Sequence, residues 1–141
     1  MKKIHTTYTP EETESLGIEI GKNSNHGDVI ALHGELGTGK TALTRGIAKG
    51  LGIEEDITSP TFSLMEIHEG DKTLYHFDLY RIENDREFEN LCFEEYWENE
   101  GVSVIEWAER AVSRLPERRI DINIEYISST ERKITVEYPD N

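Results

Sequence analysis

Residues 34 to 41 read Gly-Glu-Leu-Gly-Thr-Gly-Lys-Thr, the full G-x-x-x-x-G-K-[ST] spacing of a loop that cradles phosphate. Gly34, Gly37 and Gly39 let the backbone turn tightly and bring N–H groups against phosphate oxygens, with Thr38 in the same loop. Lys40 supplies a point charge for the β and γ phosphates, and Thr41 offers a hydroxyl to Mg²⁺. The chemistry this pattern serves is the binding of a nucleoside triphosphate.

Hydrolysis asks for more: a fixed Mg²⁺, an oriented water and a sensor of the γ-phosphate. Acidic residues at strand ends are the usual metal partners. Two stand out: Asp78 in His76-Phe77-Asp78-Leu79-Tyr80-Arg81 and Glu106 in Val104-Ile105-Glu106-Trp107. Each lies in or ends an apolar run, where an unpaired carboxylate is costly. The competing reading is a carboxylate paired with Arg or capping the next helix. Ser59-Pro60-Thr61 is a third candidate, in which Pro60 restrains the backbone and Thr61 carries a hydroxyl toward the γ-phosphate or Mg²⁺. By composition alone a plain turn with a strand-starting Thr is the favoured reading. Trp107 also reads as core. The five histidines are scattered without metal-ligand spacing, so no zinc site is expected. Cys92, between Leu91 and Phe93, reads as a small core residue.

The elements that must position these groups are legible in the flanks. Residues 28–33 form a short apolar run with β-branched members, expected as a buried strand. After Thr41, Leu43, Ile47 and Leu51 recur at helical spacing, and Gly52 marks the stop. Strand, glycine loop and helix is the context the motif needs, and the helix N-terminus adds partial positive charge at the phosphates. Upstream, an edge strand is expected over 3–8. A helix follows to about Lys22, with Thr9 as N-cap, Pro10 at the first position and Glu12 closing a capping box. Downstream, strands are expected over 62–68 and 73–80 around a 69–72 turn. A short helix capped by Asn84 and further helix to about Trp97 come next. A strand over 102–107, a helix over 108–114 and a closing hairpin turning near 128–130 complete the chain. The expectation is an α/β fold: one domain over 1–141, a three-layer P-loop NTPase with a mixed central sheet and antiparallel hairpins.

Composition bounds the setting. The chain has 141 residues, 35% hydrophobic and 31% charged, with a single cysteine. No apolar run reaches membrane-span length and no signal-peptide stretch opens the chain, so no membrane association and a cytoplasmic location are expected. Net charge is −14, from 29 acidic against 15 basic side chains. That disfavours unaided binding to a nucleic-acid backbone.

Taken together, Gly34 to Thr41, Ser59-Pro60-Thr61-Phe62, His76 to Arg81 and Ile105-Glu106-Trp107 resemble the TsaE family, the small bacterial ATPases of tRNA threonylcarbamoyladenosine (t6A) synthesis. Order, spacing and length all match. The resemblance implies a P-loop ATPase that uses ATP and Mg²⁺ and acts with TsaB and TsaD, which transfer a threonylcarbamoyl group to adenosine 37 of tRNA. The tRNA is met only indirectly, through that complex. It further implies that Thr41 and Glu106 ligate Mg²⁺, that Lys40 serves catalysis, and that Asp78 either serves catalysis or stands behind the groups that touch the metal and phosphates. Thr61 then belongs to a switch-like loop, Trp107 lies beside the nucleotide, and Glu11 and Arg132 approach the base or ribose. Hydrolysis is expected to be weak without the partner proteins.

Two alternatives share the scaffold. One is a nucleotide or small-molecule kinase, which needs an arginine-bearing lid. Between 83 and 100 the acidic residues Glu83, Asp85, Glu87, Glu89, Glu94, Glu95, Glu98 and Glu100 outnumber Arg86, a poor lid for an anionic acceptor. The other is a non-catalytic nucleotide-dependent binding module. No Asn-Lys-x-Asp segment suggests GTP.

Overall fold

Nine elements follow one another in the computed structural model, which describes residues 1–34, 40–55, 57, 65–79, 101–108 and 115–139. They are β1 (Lys2–Thr7), α1 (Pro10–Lys22), β2 (Val29–His33), α2 (Lys40–Gly50), β3 (Met65–His68), β4 (Leu74–Asp78), β5 (Val102–Glu106), β6 (Ile120–Tyr126) and β7 (Arg132–Glu137). The strands join in one seven-stranded sheet of order β1-β7-β6-β2-β5-β4-β3. The inner strands β6, β2, β5 and β4 run parallel, while β3, β7 and β1 are antiparallel additions at the two sides. The α/β class, the mixed sheet and both hairpins are as the sequence predicts. Among the described residues no helix is long and apolar enough to cross a membrane.

Period-two alternation along the inner strands divides the core into two faces. Ile30 and Leu32 of β2 and Val102 and Val104 of β5 meet Leu43, Ile47 and Ala48 of α2 and Ile20 of α1. The intervening Val29, Ala31 and Ile105 pack on the other face with Phe77, Leu79 and Leu115. The helix expected near 84–97, the helix expected over 108–114 beyond Ala108, and Cys92 lie outside the described residues.

The two helices are locked by glycine. Gly17 and Gly21 of α1 face Gly46 and Gly50 of α2, and a Cβ on Gly46 would run into the Glu14 carbonyl oxygen. Backbone therefore meets backbone, and the start of α2 is held by α1. An ion pair between Lys49 and Glu14 also joins them. The cap of α1 is as expected in part: Thr9 Oγ1 accepts the Glu12 N–H at 3.1 Å. The Glu12 carboxylate, however, accepts the N–H of Tyr8 at 3.3 Å, one residue before the capping-box partner. At the far end of α2, Gly52 takes a φ of +81° and stops the helix, as its placement predicts.

Candidate nucleotide site

The site residues gather where the parallel strands end. In register, Leu32 of β2 lies opposite Glu106 of β5, and Glu106 lies opposite Asp78 of β4. The chain leaving β2 through α2 builds β3, β4 and β5 on one side of it, and β6 and β7 are added on the other. The carboxyl end of a strand where the order divides in this way is the usual ligand crevice of open α/β sheets.

Lys40 opens α2 and is 5% exposed. Its ammonium donates to the Gly34 carbonyl at 2.8 Å and stands 4.0 Å from the centre of the Trp107 ring. A buried ammonium needs such partners, and a carbonyl dipole and an indole face both supply them. Trp107 reaches it by an uncommon route. It follows the last residue of β5 with φ at +59°, a left-handed conformation that costs a bulky residue about 1–3 kcal/mol. Thr41 is half-buried in the first turn of α2. Just before the loop, His33 Nε2 meets Asp121 Oδ1 at 3.0 Å, tying the end of β2 to β6.

Glu106 is 4% exposed, and its Oε2 lies 2.5 Å from Nε2 of His76, itself 1% exposed. His76 and Asp78 alternate along β4, as Val104 and Glu106 do along β5, so all three polar groups share the face that carries the helices. The alternation was readable in the sequence. The contact was not, because it depends on β4 and β5 being neighbours. His76 is thus a site residue that spacing alone missed.

A small pocket of about 110 Å³ opens beside the start of α2. Thr9, Pro10 and Thr13 of the α1 entry, Ala42 of α2, Thr130 of the β6–β7 turn and Arg132 at the start of β7 line it. Arg132 donates to the Ser128 and Glu131 carbonyls, and its guanidinium stacks 4.7 Å from the Tyr126 ring. Of the two residues expected near base or ribose, Arg132 lines this pocket. Glu11 is exposed beside Pro10. Gly37, Thr38, Gly39 and Thr61, also expected at the site, lie outside the described residues.

Lys40 and Thr41 begin a helix after the central strand, with two carboxylates on the adjoining strand ends, in an α/β protein built on a mixed seven-stranded sheet. A family model described as threonylcarbamoyl adenosine biosynthesis protein TsaE matches residues 7–134. The chain is 41% identical over 126 residues to the tRNA threonylcarbamoyladenosine biosynthesis protein TsaE of Treponema pallidum, covering 89% of this chain and 93% of that one. It is 42% identical over 130 residues to the protein of the same name from Bacillus subtilis, covering 92% and 81%. A crystal structure of Bacillus subtilis YdiB matches with a TM-score of 0.82 at 34% identity, over 98% of this chain and 86% of that one. This chain belongs to the TsaE family of tRNA threonylcarbamoyladenosine biosynthesis. The kinase alternative is not favoured by these relatives.

Proposed function

We propose that the chain binds Mg-ATP at the carboxyl edge of its sheet and hydrolyses it to support threonylcarbamoyl transfer to tRNA by TsaB and TsaD. The observation that carries this reading is the register: Asp78 and Glu106 face one another at the strand ends beside the helix that Lys40 and Thr41 begin.

The donor set suits a hard cation. Thr41 offers a hydroxyl and Glu106 a carboxylate, the oxygen donors with which proteins hold Mg²⁺ alongside water and phosphate. Thr41 and Glu106 would hold the ion, whose charge offsets that of the phosphates when bound. Lys40 binds the terminal phosphates, and Asp78 orients the attacking water. Gly37, Thr38 and Gly39 supply loop N–H groups, and Thr61 senses the γ-phosphate. Trp107 flanks the phosphates, and Arg132 with Glu11 borders the base and ribose.

The working place of such a chain is the cytoplasm, docked on proteins. With a net charge of −14, contact with tRNA runs through the partners, and like charge opposes direct encounter. ATP consumption by the isolated chain, then with TsaB and TsaD, tests the reading. A rise in turnover on adding the partners is expected. Consumption that instead requires an added nucleoside or nucleotide acceptor would make the chain a kinase.

A further inference from the structure

We infer that His76 is a positioning residue for Mg²⁺: its imidazole holds the Glu106 carboxylate in the orientation that receives the ion. The inference rests on the assignment of Glu106 as a metal ligand, and it names the group that sets that ligand in place.

Three observations lead to it. First, the contact is close and dry, with His76 Nε2 and Glu106 Oε2 at 2.5 Å and both side chains buried. A carboxylate at that distance accepts the Nε2–H, which assigns the tautomer. Second, the other ring nitrogen, Nδ1, is buried without a hydrogen-bond partner among the described residues. An imidazole serving only to fill the core is a poor choice, because an apolar side chain would leave no orphaned nitrogen. Leu74, two residues earlier on the same face of β4, fills its position in that way. The Glu106 bond is the polar contact that justifies a histidine. Third, Asp78 stands directly opposite Glu106 in the parallel pair. Two carboxylates side by side repel. A bond from the neighbouring position on β4 pins Glu106 against that repulsion before any cation arrives.

Ligating carboxylates are commonly oriented by such outer hydrogen bonds, whose removal typically weakens metal affinity by about 10- to 100-fold. The effect on this chain should appear in Mg²⁺ dependence and spare nucleotide binding without metal.

The test compares His76→Met with His76→Gln, two side chains of similar length of which only Gln donates an N–H. ATP binding is titrated with EDTA and with stepped Mg²⁺, and thermal unfolding is recorded in parallel. For His76→Met the Mg²⁺ midpoint should rise about tenfold, with metal-free ATP affinity kept within about twofold, and His76→Gln should recover most of the shift. An unchanged midpoint in a folded His76→Met protein, or equal losses with and without Mg²⁺, overturns the inference. Glu106→Gln separates the two levels. If it leaves the midpoint unmoved, the assignment of Glu106 itself fails. If it moves the midpoint and His76→Met does not, only the role of His76 fails. Should both His76 variants unfold, the wild-type protein decides: the Nε2 resonance of His76 in the ATP-bound protein should shift on adding Mg²⁺, and a stationary resonance rejects the inference.

Discussion

The Lys40 ammonium stands 4.0 Å from the centre of the Trp107 ring while donating to the Gly34 carbonyl. A cation over an indole is worth roughly 0.5–2 kcal/mol, depending on desolvation. If ATP is bound as proposed, phosphate would draw Lys40 from these contacts and Trp107 would report it. In a Trp97→Phe background, Trp107 emission should change on adding Mg-ATP, and Lys40→Ala should remove that response. Emission indifferent to nucleotide in the Lys40-containing protein would separate Trp107 from the site.

Glu106→Ala should weaken ATP binding more with Mg²⁺ than with EDTA, by about tenfold or more. It also strips His76 of its partner, leaving a second buried ring nitrogen unsatisfied at a cost of about 1–3 kcal/mol. Titration calorimetry in both conditions, with thermal melts, checks the two effects. Equal losses of affinity would mark Glu106 as purely structural.

Asp78→Asn keeps size and removes charge. Opposite Glu106, that change relieves a repulsion, so the fold should hold and ATP binding should survive. Hydrolysis with the partner proteins should fall by about 100-fold, the scale of losing one positioned catalytic group. Loss of binding by a folded Asp78→Asn protein would make Asp78 a ligand of the ground state.

Gly46→Ala should destabilise the chain by about 1–3 kcal/mol through overpacking, since the added methyl meets the Glu14 carbonyl. ATP affinity should fall with it, because α1 holds the helix that carries Lys40 and Thr41. Denaturant melts and ATP titration on the same samples check both. A melting curve like that of the wild type would show the helices parting easily.

Local signals were readable from the chain. Thr9 caps α1, Gly52 stops α2, and the apolar runs ending in Asp78 and Glu106 are strands with those carboxylates at their ends. Each depends on a few consecutive residues. What the chain concealed is pairing between distant segments. That β5 inserts between β2 and β4, setting Glu106 opposite both Leu32 and Asp78, follows from no local spacing. The His76–Glu106 bond spans 30 residues and exists only because of that insertion. Gly17, Gly21, Gly46 and Gly50 gain their sense only from the close approach of α1 and α2, which no local spacing announces.

Whether ATP handled at Lys40 drives the work of this chain is decided by reconstitution with TsaB, TsaD, tRNA and threonylcarbamoyl-adenylate. ATP consumed and modified tRNA formed are followed together for the wild-type chain and for Lys40→Ala. The wild type should turn over ATP and sustain modification, while Lys40→Ala should lose about 100-fold or more of the ATP turnover and the modification that depends on it. Undiminished turnover and modification with Lys40→Ala would contradict that role of Lys40.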